Sequence, residues 1–183
     1  HRPYRVIREL LAKAPLPERV ITRAQQVFRI LAEAEGRVHG IAADEVEFHE
    51  VGALDAIADV VGCCLLLEQL GIDHIIAGAV LPGEGSVHCA HGRMPVPVPA
   101  VAAMLASHRV PQRRLGRETG ELTTPTGCAL VIGLADRWLD DAGWSGIASR
   151  IGHGAGHKTI PDLCNVLRCQ LVDGQATSDT VAE

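Results

Sequence analysis

Apolar residues recur at helical spacing through the first third of the chain. Tyr4 to Ala12 reads as a short helix with Val6, Ile7, Leu10 and Leu11 on one face. Pro15 ends it, and Pro17 stands where a first-turn proline is tolerated. A long helix follows to about Val38. In it Val20, Ala24, Val27, Leu31, Ala34 and Val38 alternate by four and three and make one apolar stripe. His39-Gly40 stops it, with the glycine as cap. Val46 to Glu50 predicts a short strand, with Val46 and Phe48 on one face and Glu47 and His49 on the other. Gly52 breaks that strand. A helix from about Leu54 to Leu70 is apolar on most sides and is expected to be largely buried, with Gly71 as its cap.

His74 to Val80 predicts a buried strand. Residues 81–99, LPGEGSVHCAHGRMPVPVP, read as a loop, and alternating Pro95, Pro97 and Pro99 force extended backbone there. A helix is expected from Pro99 to Ser107 and a strand from Val110 to Leu115. Thr124 reads as an N-cap and Pro125 as the first position of a helix that runs to about Asp136. Residues 146–157 read as a glycine-rich loop, Asn165 to Val172 as a final strand, and the chain after Asp173 as a small, polar tail. This order predicts the mixed α/β class, with α+β as the alternative: one domain of helices packed on a mixed sheet over residues 1–172, then a tail or linker over 173–183.

Composition narrows the function. The chain has 183 residues and a net charge of −5, which argues against nucleic-acid binding. Aromatic residues are only 3%, too few for base-stacking platforms. The longest apolar run, near Val60 to Leu67, is too short for a bilayer, so no membrane association is expected. Six cysteines occur without a C-x-x-C pair, which points to reduced thiols rather than a zinc ribbon or a redox motif. With no visible signal peptide, a cytoplasmic location is expected. The chain starts at His1 in helix-like sequence, which predicts a truncated protein.

Against that background four segments stand out. VEFHEVGALDAIADVVG, Val46 to Gly62, places Glu47, His49, Glu50, Asp55 and Asp59 together without a Lys or Arg. Asp55, Asp59, Gly62 and Leu66 share a helix face. An imidazole among carboxylates suits a borderline divalent cation. The plainer account makes Asp55 a first-turn acid and pairs Asp59 with Arg113 or Arg114. In SVHCAHG, His88, Cys89 and His91 lie within four residues, at a spacing that defines no structural zinc site. In GELTTPTG, Thr123, Thr124, Thr126 and Gly127 surround a helix start that favours an anion such as phosphate, although simple capping by Thr124 explains the same residues. GHGAGH, Gly152 to His157, is not a dinucleotide-binding fingerprint, because its spacing differs and Pro161 is close.

Taken together, VEFHEVGALDAIADVVG, GSVHCAHGRMPVPVPA, GELTTPTGCAL, GHGAG and PDLCNVLR come in the order and approximate spacing of the LarC family, which this chain resembles from about His1 to Leu171. The resemblance implies a CTP-dependent nickel cyclometallase of the lyase class. Such proteins insert nickel into pyridinium-3,5-bisthiocarboxylic acid mononucleotide, forming carbon–nickel and sulfur–nickel bonds. CTP goes to CMP and pyrophosphate through a cytidylylated substrate, and the product serves lactate racemase. The family's opening strand with a Gly-Ser-Gly-Asp-Met-like loop is absent here, as is its C-terminal domain, where CTP binds with manganese or magnesium. His153 stands where the family often has Tyr.

On this reading His49, Glu50, Asp55, His88 and His91 hold or deliver nickel. Thr123, Thr124, Thr126 and Gly127 take the mononucleotide phosphate. His49 or Glu50 removes the pyridinium C4 proton, and Asp55 assists. A lactate racemase-type acceptor and a homo-oligomeric state are also expected. The alternatives are a metal- or nucleotide-binding module that is not catalytic alone, a scaffold whose carboxylates pair with Arg113, Arg114 and Arg168, and a metal-dependent hydrolase.

Overall fold

The computed structural model describes residues 2–48, 54–89, 92–139 and 146–173. The chain forms two compact units, His1–Trp138 and Leu139–Glu183. The class is mixed α/β, as expected.

In the first unit, helix α1 (Tyr4–Lys13), helix α2 (Glu18–His39), helix α3 (Leu54–Gln69), helix α4 (Pro99–Ser107) and helix α5 (Pro125–Leu134) share one core. All the other helices touch α2. Its expected stripe is buried from Val20 to Ala34, and Phe28, Ile30 and Ala32 are buried as well because neighbours lie on more than one side. Val38, 40% exposed, has run past the core. Gly40, at φ 69°, caps the helix through its N–H to Gly36 O. Arg19 and Arg23 tie the start of α2 to the turn after α3, donating to Ile72 O at 2.7 and 3.2 Å.

Two helices are less buried than their composition suggests. In α1 the core takes Tyr4, Ile7 and Leu11, while Val6 and Leu10 lie to one side and are exposed. In α3 only Ala56, Val60 and Cys64 are buried. Leu54, Leu66 and Leu70 face outward at 70, 61 and 52% exposure, so the expectation of a largely buried helix does not hold. A helix that touches neighbours on one side needs only one apolar stripe, whatever its composition.

Strand β1 (Arg2–Pro3) pairs antiparallel with strand β2 (Glu47–Phe48). Val46 and Phe48 are buried and Glu47 is exposed, as the alternation requires. The rest of the expected Val46–Glu50 strand, and Gly52 after it, lie outside the described residues. Of the expected His74–Val80 strand only β3 (Ile76–Ala77) forms, with Ile76 exposed. Its parallel partner is β7 (Arg137–Trp138).

The expected loop over 81–99 is instead a hairpin of β4 (Gly83–Cys89) and β5 (Gly92–Val96), with β6 (Gly120–Glu121) on the other edge of β4. Pro95 pairs with Ser86 on the edge strand β5, where a missing N–H is tolerated. Gly83 and Gly85 take φ of 97° and 99°, which only glycine adopts freely.

Residues 80–84 anchor the segment that follows α4. Val80 N donates to Pro111 O and Val80 O accepts from Arg113 N, both at 2.9 Å. This single parallel bridge, to Gln112, is all that forms of the expected Val110–Leu115 strand. Glu84 Oε1 then accepts from Leu115 N at 2.7 Å and Gly116 N at 2.8 Å. Thr119, buried, donates its N–H to Glu84 O and accepts the Glu84 N–H on its hydroxyl, both at 3.0 Å. Residues 111–119 thus form a strap over β4.

The second unit is an antiparallel pair, β8 (Ile147–Ala155) and β9 (Val166–Asp173), with a bulge between Ala148 and Arg150. The expected glycine loop at 146–157 is mostly strand. Gly152 and Gly154 lie opposite Cys169 and Leu167, and their φ is not positive. The final strand sits one residue later than expected. The tail, apart from Asp173, lies outside the described residues.

The glycines give opposite predictions. A Cβ on Gly83 would overlap Gly120 O, and its φ disfavours any side chain. Gly83→Ala is therefore expected to destabilise by about 2–3 kcal/mol. Gly62 lies in α3 with nothing within 4 Å of an added Cβ, so Gly62→Ala should stabilise by about 0.5–1 kcal/mol. Urea unfolding of both variants checks the pair.

Candidate functional site

The residues singled out in the sequence fall on four supports. Asp55 is exposed in the first turn of α3, and its Oδ1 accepts the Ala56 N–H at 2.8 Å. One turn on, exposed Asp59 lines a groove of about 390 Å³ with Ala58, Gly62, Cys63, Leu66, Leu67 and Leu70. Asp59 makes no ion pair with Arg113 or Arg114 among the described residues. The strand face and turn that would complete this cluster, His49 and Glu50, lie outside the described residues, as does His91.

His88 is exposed on β4, directly opposite Arg93 on β5. Arg93 Nε donates to Ser86 Oγ at 2.9 Å, which places Ser86, His88 and Arg93 on one face of the hairpin. Cys89 points to the other face, and its Sγ donates to Gly92 O at 3.5 Å. No group of three or more His, Cys, Asp or Glu suited to a metal ion occurs among the described residues.

The GELTTPTG segment forms β6 and the start of α5. Thr124 is the N-cap, and its hydroxyl accepts the Gly127 N–H at 3.2 Å. Pro125 has no N–H to offer. Thr123 turns away and donates its hydroxyl to Leu81 O at 2.7 Å. Cys128 N donates to Thr124 O at 2.8 Å, the first bond of the helix proper. Capping therefore uses most of the donors that a phosphate would need, and Thr126, half-buried, retains the free first-turn amide.

The GHGAGH and PDLCNVLR motifs are partners. His153 lies opposite Arg168, and Gly156 N donates to Asn165 O at 2.9 Å. A Cβ on Gly156 would overlap the Asn165 amide, whose Nδ2 donates to Lys158 O at 3.2 Å. Sequence reading missed Glu84, Ser86, Arg93 and Thr119. The usable signal was an acid flanked by two glycines, Gly83-Glu84-Gly85, in a segment otherwise read as loop.

None of the six cysteines forms a disulfide. Burial pushes the Cys64 thiol up to about 11 and the Cys128 thiol up to about 12. Between pH 9 and those values the unfolded chain loses protons that the folded chain keeps, so stability falls as pH rises through that window. Below pH 9 the two thiols have no such effect. Thermal unfolding from pH 8 to 10.5 is expected to show the decline, and Cys128→Ala is expected to flatten it. Thr124→Ala should cost about 1 kcal/mol by loss of the cap, and Thr124→Ser should recover most of it.

Comparison with known proteins adds what the geometry alone does not. The family described as nickel insertion protein matches residues 1–183. A pyridinium-3,5-bisthiocarboxylic acid mononucleotide nickel insertion protein of Akkermansia muciniphila is 43% identical over 176 residues, covering 94% of this chain and 41% of the relative. The protein of that name from Staphylococcus epidermidis strain RP62A is 39% identical over 175 residues, covering 96% and 43%. The chain therefore spans about two fifths of the length of these relatives. No solved structure matches it. On the match along its whole length, the chain belongs to the nickel insertion protein family.

Proposed function

We infer that this chain is part of an enzyme that inserts nickel into pyridinium-3,5-bisthiocarboxylic acid mononucleotide. The observation that carries the reading is the family match over residues 1–183, together with relatives near 40% identity that bear that name. Nickel is here a substrate. In the proposed site His49, Glu50, Asp55, His88 and His91 hold or deliver it, a donor set of imidazoles and carboxylates that suits Ni(II). As the carbon–nickel bond forms, the pyridinium C4–H gives up its proton to His49 or Glu50, and Asp55 assists. The mononucleotide phosphate lies at the α5 start, near Thr123, Thr124, Thr126 and Gly127.

The family resemblance supports the remaining parts of the proposal. CTP, with manganese or magnesium, activates the substrate in a part of the protein outside this chain. The assembly is a homo-oligomer and hands its product to a lactate racemase-type acceptor. The proposed location is the cytoplasm, where thiols stay reduced. Among the described residues no helix is long and apolar enough to cross a membrane.

A second reading, a nickel- or nucleotide-binding module whose chemistry lies elsewhere, is favoured by the chain covering only 41% and 43% of its relatives. Reconstitution separates the two. Full-length protein, nickel, CTP and the dithiocarboxylate mononucleotide should give a nickel-containing product by mass spectrometry. His49→Ala and His88→Ala should each lower nickel affinity about tenfold or more by calorimetry. Unchanged stoichiometry and affinity in both would remove the ligand assignment. Nickel binding by the isolated chain, with no product when the rest of the protein is supplied in trans, would support the module.

A further inference from the structure

The strap and the two residues before it carry an unusual charge. Residues 109–117, RVPQRRLGR, hold Arg109, Arg113, Arg114 and Arg117 in a chain of net charge −5. All four are exposed, and none makes an ion pair among the described residues. An exposed basic loop is ordinarily a mobile, solvated surface. This one is fixed along its length by the Val80 bridge at Pro111 and Arg113, the Glu84 carboxylate on Leu115 N and Gly116 N, and the paired bonds of Thr119. These bonds are all made by the protein's own groups, so less ordering entropy is lost on binding.

The same strap runs directly into β6 and the start of α5, and all three hang from residues 80–84. By itself the α5 start offers a dianion one free amide, that of Thr126, because Pro125 has no N–H and the Gly127 N–H belongs to Thr124. Guanidinium groups supply both what is missing in charge and a planar fork that matches phosphate oxygens.

We propose that Arg113, Arg114 and Arg117 form the recognition surface for the phosphate monoester of a pyridinium mononucleotide, with Glu84 as the positioning residue that holds their loop. The identity of the ligand rests on the function inferred above; the anion-binding role rests on the strap itself. A phosphate could come from the mononucleotide or from CTP, and the proposal assigns the surface to the mononucleotide.

The test uses the full chain and nicotinic acid mononucleotide, a pyridinium mononucleotide without thiocarboxylates, beside the matching nucleoside and CTP. Calorimetry at low and high salt would compare the chain with Arg113→Ala, Arg114→Ala, Arg117→Ala and the Arg113→Ala/Arg114→Ala double variant. Circular dichroism would confirm that each is folded. The mononucleotide is expected to bind about tenfold more weakly for each guanidinium removed, and more weakly still in the double variant and at high salt. Arg114→Lys should recover part of the loss. The nucleoside should bind poorly to every variant, and nickel affinity should not change.

Equal mononucleotide affinity in the chain and all arginine variants would overturn the proposal, as would nucleoside binding equal to that of the mononucleotide. So would arginine-dependent binding of CTP without binding of the mononucleotide. Arginine-dependent mononucleotide binding alongside failed nickel insertion in reconstitution would uphold this surface and overturn the inferred function instead.

Discussion

The contact on which the strand side of the first unit depends is the Glu84 carboxylate over two successive amides. One oxygen accepts from Leu115 N and Gly116 N while the backbone of the same residue exchanges bonds with Thr119. Hydrogen bonds to a charged group contribute roughly 1.5–3 kcal/mol each, more than neutral ones. The glycines on either side follow from this arrangement. The strap and β6 cross so close that Gly120 O occupies the space of a Gly83 side chain and the Glu118 side chain occupies that of Gly85. Acid and glycines form one device, in which the carboxylate draws the strap in and the bare backbone lets it arrive.

The helical layer is held by different physics. Phe28, Leu31, Val27 and Val20 are fully buried on α2, and their stabilisation comes from apolar burial that needs no particular partner atom. Such a layer tolerates some repacking. The strap does not, because its bonds have fixed donors and acceptors. The residues proposed to contact substrate are divided between these regimes. Asp55 rides on a helix that one apolar stripe holds, whereas His88 and the α5 start are tied to a strand by named hydrogen bonds.

Much of the helical layer was legible in the sequence. The stripes from Val20 to Ala34 repeat at the helical period, Gly40 and Thr124 are strong local end signals, and Pro99 and Pro125 open helices where their missing N–H costs nothing. The hairpin was not legible, because its strands are built from Gly83, Gly85, Gly92 and Pro95, residues that usually mark turns. Glu84, between the first two of these glycines, is bonded to Leu115, Gly116 and Thr119, more than thirty residues away, and no local pattern carries that information. The exposure of Leu54, Leu66 and Leu70 was hidden for a similar reason: composition says how apolar a helix is, not how many neighbours it has. Of the candidate site, the capping role of Thr124 was legible and the side-chain partners of Thr123 and Arg93 were not, since neither partner is a close neighbour in the chain.

The β8–β9 ribbon has a thermodynamic consequence. Every residue of β8 is exposed, and Leu171 alone in β9 is half-buried, so the ribbon removes little apolar surface from water. An isolated two-stranded hairpin is marginal in water. Its opening therefore needs much less free energy than opening the helical layer, and its amide protons exchange on their own schedule. A single melting temperature would not describe this chain. It has two levels of stability, and GHGAGH and PDLCNVLR belong to the lower one.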